Sequence, residues 1–101
     1  MSKSKVYFTK EITPKSLIKI YEALNTELKG KVAVKISTGE AGGHNLLDSN
    51  LIKDLVSKLN GTIVECNTAY PGKRNTTEAH WQTIKNHGFD DIAPCDILDE
   101  E

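Results

Sequence analysis

Polar and basic side chains that could bind an anion concentrate in a loop at residues 67–75. The loop follows a β-rich run at 62–66 and leads to Asn75, which begins a helix with a capping-box glutamate three residues on. Lys73 and Arg74 therefore stand beside free backbone N–H groups and the positive end of a helix dipole, which favour an anion. The sequence predicts a phosphate or carboxylate site here, and the alternative is an exposed basic turn. The predicted ligand-binding residues of this loop are Asn67, Thr68, Tyr70, Lys73, Arg74 and Asn75.

A second loop, at residues 37–45, is rich in glycine and also carries an acid and a histidine. Glycine permits positive φ and close approach of a ligand to the backbone, so Gly39, Gly42 and Gly43 are added to the predicted ligand-binding residues. Their spacing matches neither the G-x-G-x-x-G dinucleotide fingerprint nor the Gly-Lys-Ser/Thr of a P-loop. The loop is therefore either a ligand loop of another kind or an ordinary glycine turn.

Ionisable side chains near the two loops are candidates for catalysis or metal binding. Lys35 lies inside a predicted strand, where a buried lysine needs a partner; it either reaches the ligand edge or extends its amine to water. The candidate catalytic residues are Lys35, Glu40 and His44, and the candidate metal ligands are Glu40, His44 and His80. His80 has the alternative of a half-buried position on a helix. Glu65 and Cys66 end a strand and point to opposite sides, so that one of them faces the site.

Strand-like and helix-like segments alternate along the chain. The predicted strands are 6–8, 32–36, 62–66 and one within 92–98, and the predicted helices run from Pro14 to a Gly30 C-cap, from Asp48 or Ser49 to Asn60, and from about Thr76 to His87. Such alternation predicts an α/β fold, a small doubly wound, mostly parallel, Rossmann-like sheet of about four strands with three helices. Ligands of such sheets bind outside the carboxyl ends of the strands, where loops 37–45 and 67–75 both open.

Composition narrows the class of protein. The 101 residues fit one domain, 1–101, and the balance of 13 basic against 14 acidic residues argues against nucleic-acid binding by a broad basic surface. Apolar runs are shorter than the ~20 residues of a membrane span, and no signal peptide is visible, so we expect no membrane partner. The two cysteines, Cys66 and Cys95, form no disulfide framework, which favours a cytoplasmic location. They are also too few to hold an iron–sulfur cluster alone.

Both loops resemble segments of a known family. Residues 34–45, V-K-I-S-T-G-E-A-G-G-H-N, resemble the K-x-x-x-G-E-P-G-N-like segment of the family called domain of unknown function 362. Residues 65–70, E-C-N-T-A-Y, together with Gly72, Arg74 and His80, are similar to that family's second signature, a D/E-x-N-T-x-Y-x-G-x-R stretch that runs on to a histidine.

The resemblance covers most of residues 31–93, including the helix end at 87–89. Ala41 stands where the family usually has proline, and Pro71 where glycine is common in close relatives. The family consists of larger proteins that often carry four-iron, four-sulfur motifs further along. The resemblance therefore implies that this chain is the N-terminal fragment of a larger iron–sulfur-associated protein or a short homologue, with no cofactor in the chain itself and, for a fragment, a four-iron, four-sulfur cluster in the missing part.

Taken together, the residues and the resemblance predict a domain that binds a small anionic ligand or cofactor at the carboxyl edge of the sheet. The alternatives are a non-catalytic assembly module that docks a missing C-terminal or ferredoxin-like domain, and a metal site. Open sheet edges and Trp81, on a weakly amphipathic helix, also predict a homo-oligomer.

Overall fold

Three α-helices and a three-stranded parallel sheet make up the computed structural model, which describes residues 3–100. In chain order the elements are α1 (Pro14–Ala23), β1 (Val32–Lys35), α2 (Ser49–Leu59), β2 (Gly61–Glu65), α3 (Thr77–Asn86), a 3₁₀ turn (Phe89–Asp91) and β3 (Cys95–Ile97). The strands lie in the order β1-β2-β3, and both neighbouring pairs are parallel. The predicted α/β class with a parallel sheet is therefore confirmed.

Helices cover one face of this sheet. The register sets Val34 beside Ile63 and Ile63 beside Cys95, so these side chains share a face, and the core cluster places that face against α2 and α3. The buried side chains of the core come from α2, β2, α3, the 3₁₀ turn and β3, and they are Ile52, Val56, Ile63, Ile84, Phe89 and Ile97. On the other face Lys35 and Asp96 are exposed, whereas Val64, which lies between them in the register, is buried. Among the described residues the sheet has three strands, so the predicted four-stranded, doubly wound arrangement is not confirmed.

The predicted first strand at residues 6–8 is not a strand in the structure. These residues carry no regular secondary structure, and Val6 and Phe8 are 89% and 82% exposed. Residues 3–12 lead to α1, which packs against α2 instead of lying between two paired strands. The β-branched and aromatic composition of 6–8 favours a half-buried pleated surface, but these residues pair with no strand of the sheet, although β1 lies at its edge.

Helix boundaries follow their caps. The Thr13 hydroxyl accepts from Ser16 N–H at the start of α1, and α1 ends at Ala23 rather than near Gly30, because Asn25 takes the left-handed conformation at φ 49°. The Asp48 carboxylate caps α2, and Asn60, at φ 50°, ends it.

The start of α3 lies one residue later than predicted. The cap is Thr76, whose hydroxyl accepts from Ala79 N–H at 3.3 Å, and Asn75 stays in the loop. Gly88 ends the helix at φ 80° and turns the chain so that Phe89 becomes fully buried. The last strand lies within the predicted range 92–98 and begins after Pro94, whose carbonyl accepts from Ile63 N–H at 2.8 Å. In residues 3–100 no helix has the length and apolar character that crossing a bilayer requires.

Candidate functional site

Side chains of loops 37–45 and 67–75 meet at the carboxyl edge of the sheet. The Tyr70 hydroxyl donates to Glu40 Oε1 at 2.8 Å, and Arg74 Nη2 donates to the same oxygen at 2.6 Å. Arg74 Nη1 also donates to the Ser37 hydroxyl at 3.1 Å. The two loops therefore lie side by side, as the rule for the carboxyl ends of parallel strands predicts.

Beneath the loops, Glu65 ends β2 as a buried carboxylate. Its Oε2 accepts from Thr38 N–H at 2.9 Å and from the Thr38 hydroxyl at 3.0 Å, while its Oε1 accepts from Lys35 Nζ and Cys66 N–H, both at 3.2 Å. Burial alone would raise the pKa of Glu65, but these hydrogen bonds outweigh it and lower the pKa to about 2. Glu65 is therefore ionised at neutral pH and anchors both loops to the strand ends.

His80 of α3 completes this buried network. Its Nδ1 lies 3.0 Å from Asn67 Oδ1, and its Nε2 lies 3.3 Å from the Thr38 hydroxyl. Burial lowers the pKa of His80, although the neighbouring Glu65 acts in the opposite direction. Nε2 also lies 3.4 Å from Glu65 Oε2, so the ring joins the Asn67 side chain to the Glu65–Thr38 pair. The Asn67 amide in turn donates from Nδ2 to the Thr77 hydroxyl at 3.1 Å.

Arg74 points inward and does not face the start of α3, contrary to the prediction. Only 8% of the residue is exposed, and its guanidinium binds Glu40, Ser37 and, at 3.5 Å, Glu65. Burial would lower the pKa of Arg74, but its hydrogen bond to Glu40 raises it. The same hydrogen bond, with that from Tyr70, lowers the pKa of Glu40. The Nε atom of Arg74 is buried and pairs with no acceptor in the described part of the chain.

A cleft of about 530 Å³ opens beside this network, where β2 and β3 end and α3 begins. Its lining residues are Asn67, Thr68, Ala69, Asn75, Thr76, Thr77 and Asp99. The first N–H groups of a helix have no hydrogen-bond acceptor inside the helix. At the start of α3 the Thr76 hydroxyl accepts a hydrogen bond from the N–H group of Ala79 only. Within residues 3–100, the N–H groups of Thr77 and Glu78 pair with no acceptor. Asp99 also lines the cleft, and its Oδ1 accepts from Asn67 N–H at 2.9 Å.

A second depression, of about 310 Å³, lies over the glycine loop. Its lining residues are Ser37, Gly39, Glu40, Gly43, His44, Asn45, Leu46 and Arg74. Gly39 is required there, because its φ is 86° and a Cβ at this position would lie 2.5 Å from Leu46 Cβ. The depression therefore shares Arg74 with the buried network and is separate from the residues that line the cleft.

The other predicted site residues are divided between these features. Lys35 ends β1 with an exposed side chain and pairs with Glu65, and Tyr70 is tied to Arg74 and Glu40. Gly42 shapes a turn at φ 75° and lines neither depression, and Lys73 lines a shallow groove beside α3. Glu40 and His44 share the second depression, whereas His80 belongs to the buried network. In residues 3–100 no three His, Cys, Asp or Glu side chains are grouped closely enough to hold a metal.

Thr38 and Asp99 are part of the site although the sequence prediction omitted them. Asp99 follows β3 as the two loops follow β1 and β2, so the carboxyl-edge rule applied to the last strand would have included it. Thr38 had no comparable signal, since a threonine in a polar loop does not reveal that it will bind a buried acid. Of the two residues that the sequence placed at the end of this strand, Glu65 ends β2 and faces the site, and Cys66 follows the strand and is exposed.

Comparison with known proteins gave no match: no protein-family profile, curated protein or solved structure is significantly similar to this chain.

Proposed function

We propose that this domain binds a small ligand through an anionic group in the cleft at the start of α3. The observation that carries the proposal is the meeting, in one cleft, of Thr77 at the start of α3, whose N–H group is unpaired among the described residues, with polar side chains of loop 67–75. The positive end of the helix dipole adds to the attraction for a phosphate or carboxylate.

Asp99 restricts the ligand further. Its carboxylate lines the cleft, and it would repel a ligand that carried negative charge at both ends. A ligand that offers a hydroxyl or amino group to Asp99 and an anion to α3 satisfies both parts of the lining. We therefore propose a hydroxylated or amino-bearing acid, or a sugar phosphate.

The walls of the cleft are held before any ligand arrives. His80 and Thr77 orient the Asn67 side chain, and Asp99 holds the Asn67 backbone N–H. Buried Glu65 holds loop 37–45 through Thr38. A site with preset side chains loses less conformational entropy on binding, which favours affinity for a small molecule.

The resemblance to the family called domain of unknown function 362 supports a place for this domain at the N-terminus of an iron–sulfur-associated protein. In that setting residues 6–8 would pair with the free edge of β1, which would complete a four-stranded, Rossmann-like sheet. The chain's own residues do not fit a four-iron, four-sulfur cluster, because two cysteines supply half of the usual four thiolates. Such a cluster would therefore belong to the missing part of the protein.

The proposal predicts that Thr77→Pro weakens phosphate binding more than Thr77→Ala does. Proline at the first helical position removes the N–H group without breaking the helix, and Thr76, at φ −123° and ψ 151°, already has the backbone conformation required before proline. Both variants lose the hydroxyl that Asn67 uses, so their difference isolates the N–H group. A charge-assisted hydrogen bond contributes about 1.5–3 kcal/mol, which is roughly tenfold or more in Kd.

Titration with inorganic phosphate, followed by the amide NMR signals of residues 76–79, measures this difference. Asp99→Asn should strengthen phosphate binding, because it removes the nearby negative charge and keeps an acceptor for Asn67 N–H. Equal affinities of the alanine and proline variants, or an absence of shifts at millimolar phosphate in all variants, would count against an anion site at α3.

The second candidate function is a non-catalytic assembly module, and the exposed N-terminal side chains favour it. Val6, Phe8 and Ile12 are 89%, 82% and 81% exposed, an unusual concentration of bare apolar surface within seven residues. Trp81, by contrast, packs partly against the core and places Nε1 at 3.4 Å from Glu100, so it is not the exposed anchor that the sequence suggested. We propose that segment 6–12 docks on a second copy or on a ferredoxin-like partner domain.

Self-association of the isolated chain should therefore depend on Val6 and Phe8. Sedimentation equilibrium over a hundredfold range of concentration should show a dimer or higher oligomer that the double variant Val6→Ser, Phe8→Ser abolishes. Leu24→Ser with Leu28→Ser, which removes two other exposed apolar side chains, is the matched control and should leave association unchanged. A wild-type monomer at every concentration would refute the homo-oligomer.

A further inference from the structure

On one edge of the Arg74 guanidinium, only one of the two donor atoms makes hydrogen bonds. Its Nη1 group serves Ser37 and Glu65, and its Nη2 group serves Glu40 and Tyr70. The remaining donor, Nε, is buried and pairs with no acceptor among the described residues. Buried donors are rarely left unpaired, and arginine prefers to bind two oxygens of an anion side by side. The Nε and Nη2 edge is therefore shaped for a two-oxygen anion but receives only one oxygen from Glu40.

The side chain of Glu40 makes hydrogen bonds through one carboxylate oxygen only. Its side chain is 54% exposed, and its carboxylate contacts Arg74 and Tyr70 through the single atom Oε1. The residue opens a turn in which Gly43 N–H donates to the Glu40 carbonyl at 2.9 Å and Gly42 has φ 75°. The Glu40 carboxylate is half exposed and is readily solvated when it rotates outward, whereas the buried Arg74 then lacks an anionic partner that an incoming group can replace.

The charge that remains after such a rotation is positive. Arg74 and Lys35 then face the single carboxylate of Glu65, and the buried His80 is neutral. The depression of about 310 Å³ beside Arg74 provides room for a small molecule, with His44 and Asn45 on its rim.

We propose that the position occupied by the Glu40 carboxylate is a second anion site, which accepts the carboxylate or phosphate group of a small ligand on the Nε and Nη2 edge of Arg74. Glu40 is the internal occupant that the ligand replaces. The incoming group pairs with both donors and so satisfies the Nε atom that Glu40 leaves unpaired. This site uses loop 37–45 and does not depend on the cleft at the start of α3.

Removal of the internal competitor tests the proposal. Glu40→Gln should raise the affinity for acetate and for inorganic phosphate about tenfold, because a site that its own side chain fills most of the time binds in proportion to its open fraction. Glu22→Gln removes the same charge from an exposed position on α1 and should match the wild type. The Arg74 Nε–H NMR signal reports binding here, at constant ionic strength, whereas amide signals of residues 76–79 report the other cleft.

Arg74→Lys in the Glu40→Gln background should abolish the tenfold gain, since lysine keeps the charge but lacks the paired donors. The comparison of Glu40→Gln with Glu22→Gln stands even where the arginine variant folds poorly. Equal affinities of these two glutamine variants, or shifts confined to residues 76–79, would overturn the proposal without bearing on the cleft at α3.

Discussion

Replacing Glu65 with alanine is expected to lower the free energy of unfolding by about 3–5 kcal/mol, the usual cost of removing one partner from a buried ion pair. The variant leaves the buried Thr38 N–H group without its acceptor and deprives Lys35 and Arg74 of a shared carboxylate. Natural domains are stable by only 5–15 kcal/mol or so, so a loss of this size approaches the whole stability of a small domain.

Urea unfolding followed by Trp81 fluorescence measures the loss, because Trp81 packs partly against the core. Glu22→Gln is the matched control for an exposed acid and should change stability by less than about 0.5 kcal/mol. Glu65→Gln keeps the shape and one acceptor oxygen, and it should lie between alanine and the wild type. A Glu65→Ala variant within about 1 kcal/mol of the wild type would mean that the network does not hold the loops together.

Sequence patterns sufficed for the elements that form the core. Helical spacing of apolar residues located α2, and the β-branched run before Glu65 located β2 within one residue at each end. The meeting of the two loops also followed from sequence, because parallel strands in a βαβ series end at the same edge. These predictions succeeded because each depended on local composition or on a general rule of chain topology.

The unsuccessful predictions depended on tertiary partners that no local pattern reveals. The run 6–8 has strand composition but does not pair with the sheet, and Asn25 ends α1 before Gly30 can do so. Arg74 was expected beside the start of α3 because it precedes that helix in the sequence. Its side chain instead donates hydrogen bonds to buried Glu65 and to Glu40. The carboxylate with which an arginine pairs depends on the arrangement of the folded loops.

Acidification is expected to destabilise the domain in two successive pH ranges. Burial lowers the pKa of His80 from its ordinary value of 6.5, so the unfolded chain binds more protons there, and stability falls as the pH drops through this range. The pKa of Glu65 falls from 4.5 in the unfolded chain to about 2 in the folded state. The stability that its ionised form provides is complete above pH 4.5 and is lost as the pH falls toward 2, a difference of about 3 kcal/mol.

Urea unfolding at a series of pH values between 7 and 2 separates the two ranges. Glu65→Gln should flatten the dependence below pH 4.5 and keep the decline that begins near pH 6.5, which should become larger because the Glu65 charge no longer raises the pKa of His80. Glu40→Gln is the matched control: its carboxylate also has a lowered pKa but lies at the surface, where solvent screens its charge, so the steep acid limb should survive. If Glu65→Gln kept the full acid limb, the stability lost at low pH would come from other carboxylates, and Glu65 would not be the charge that holds the two loops at the edge of the sheet.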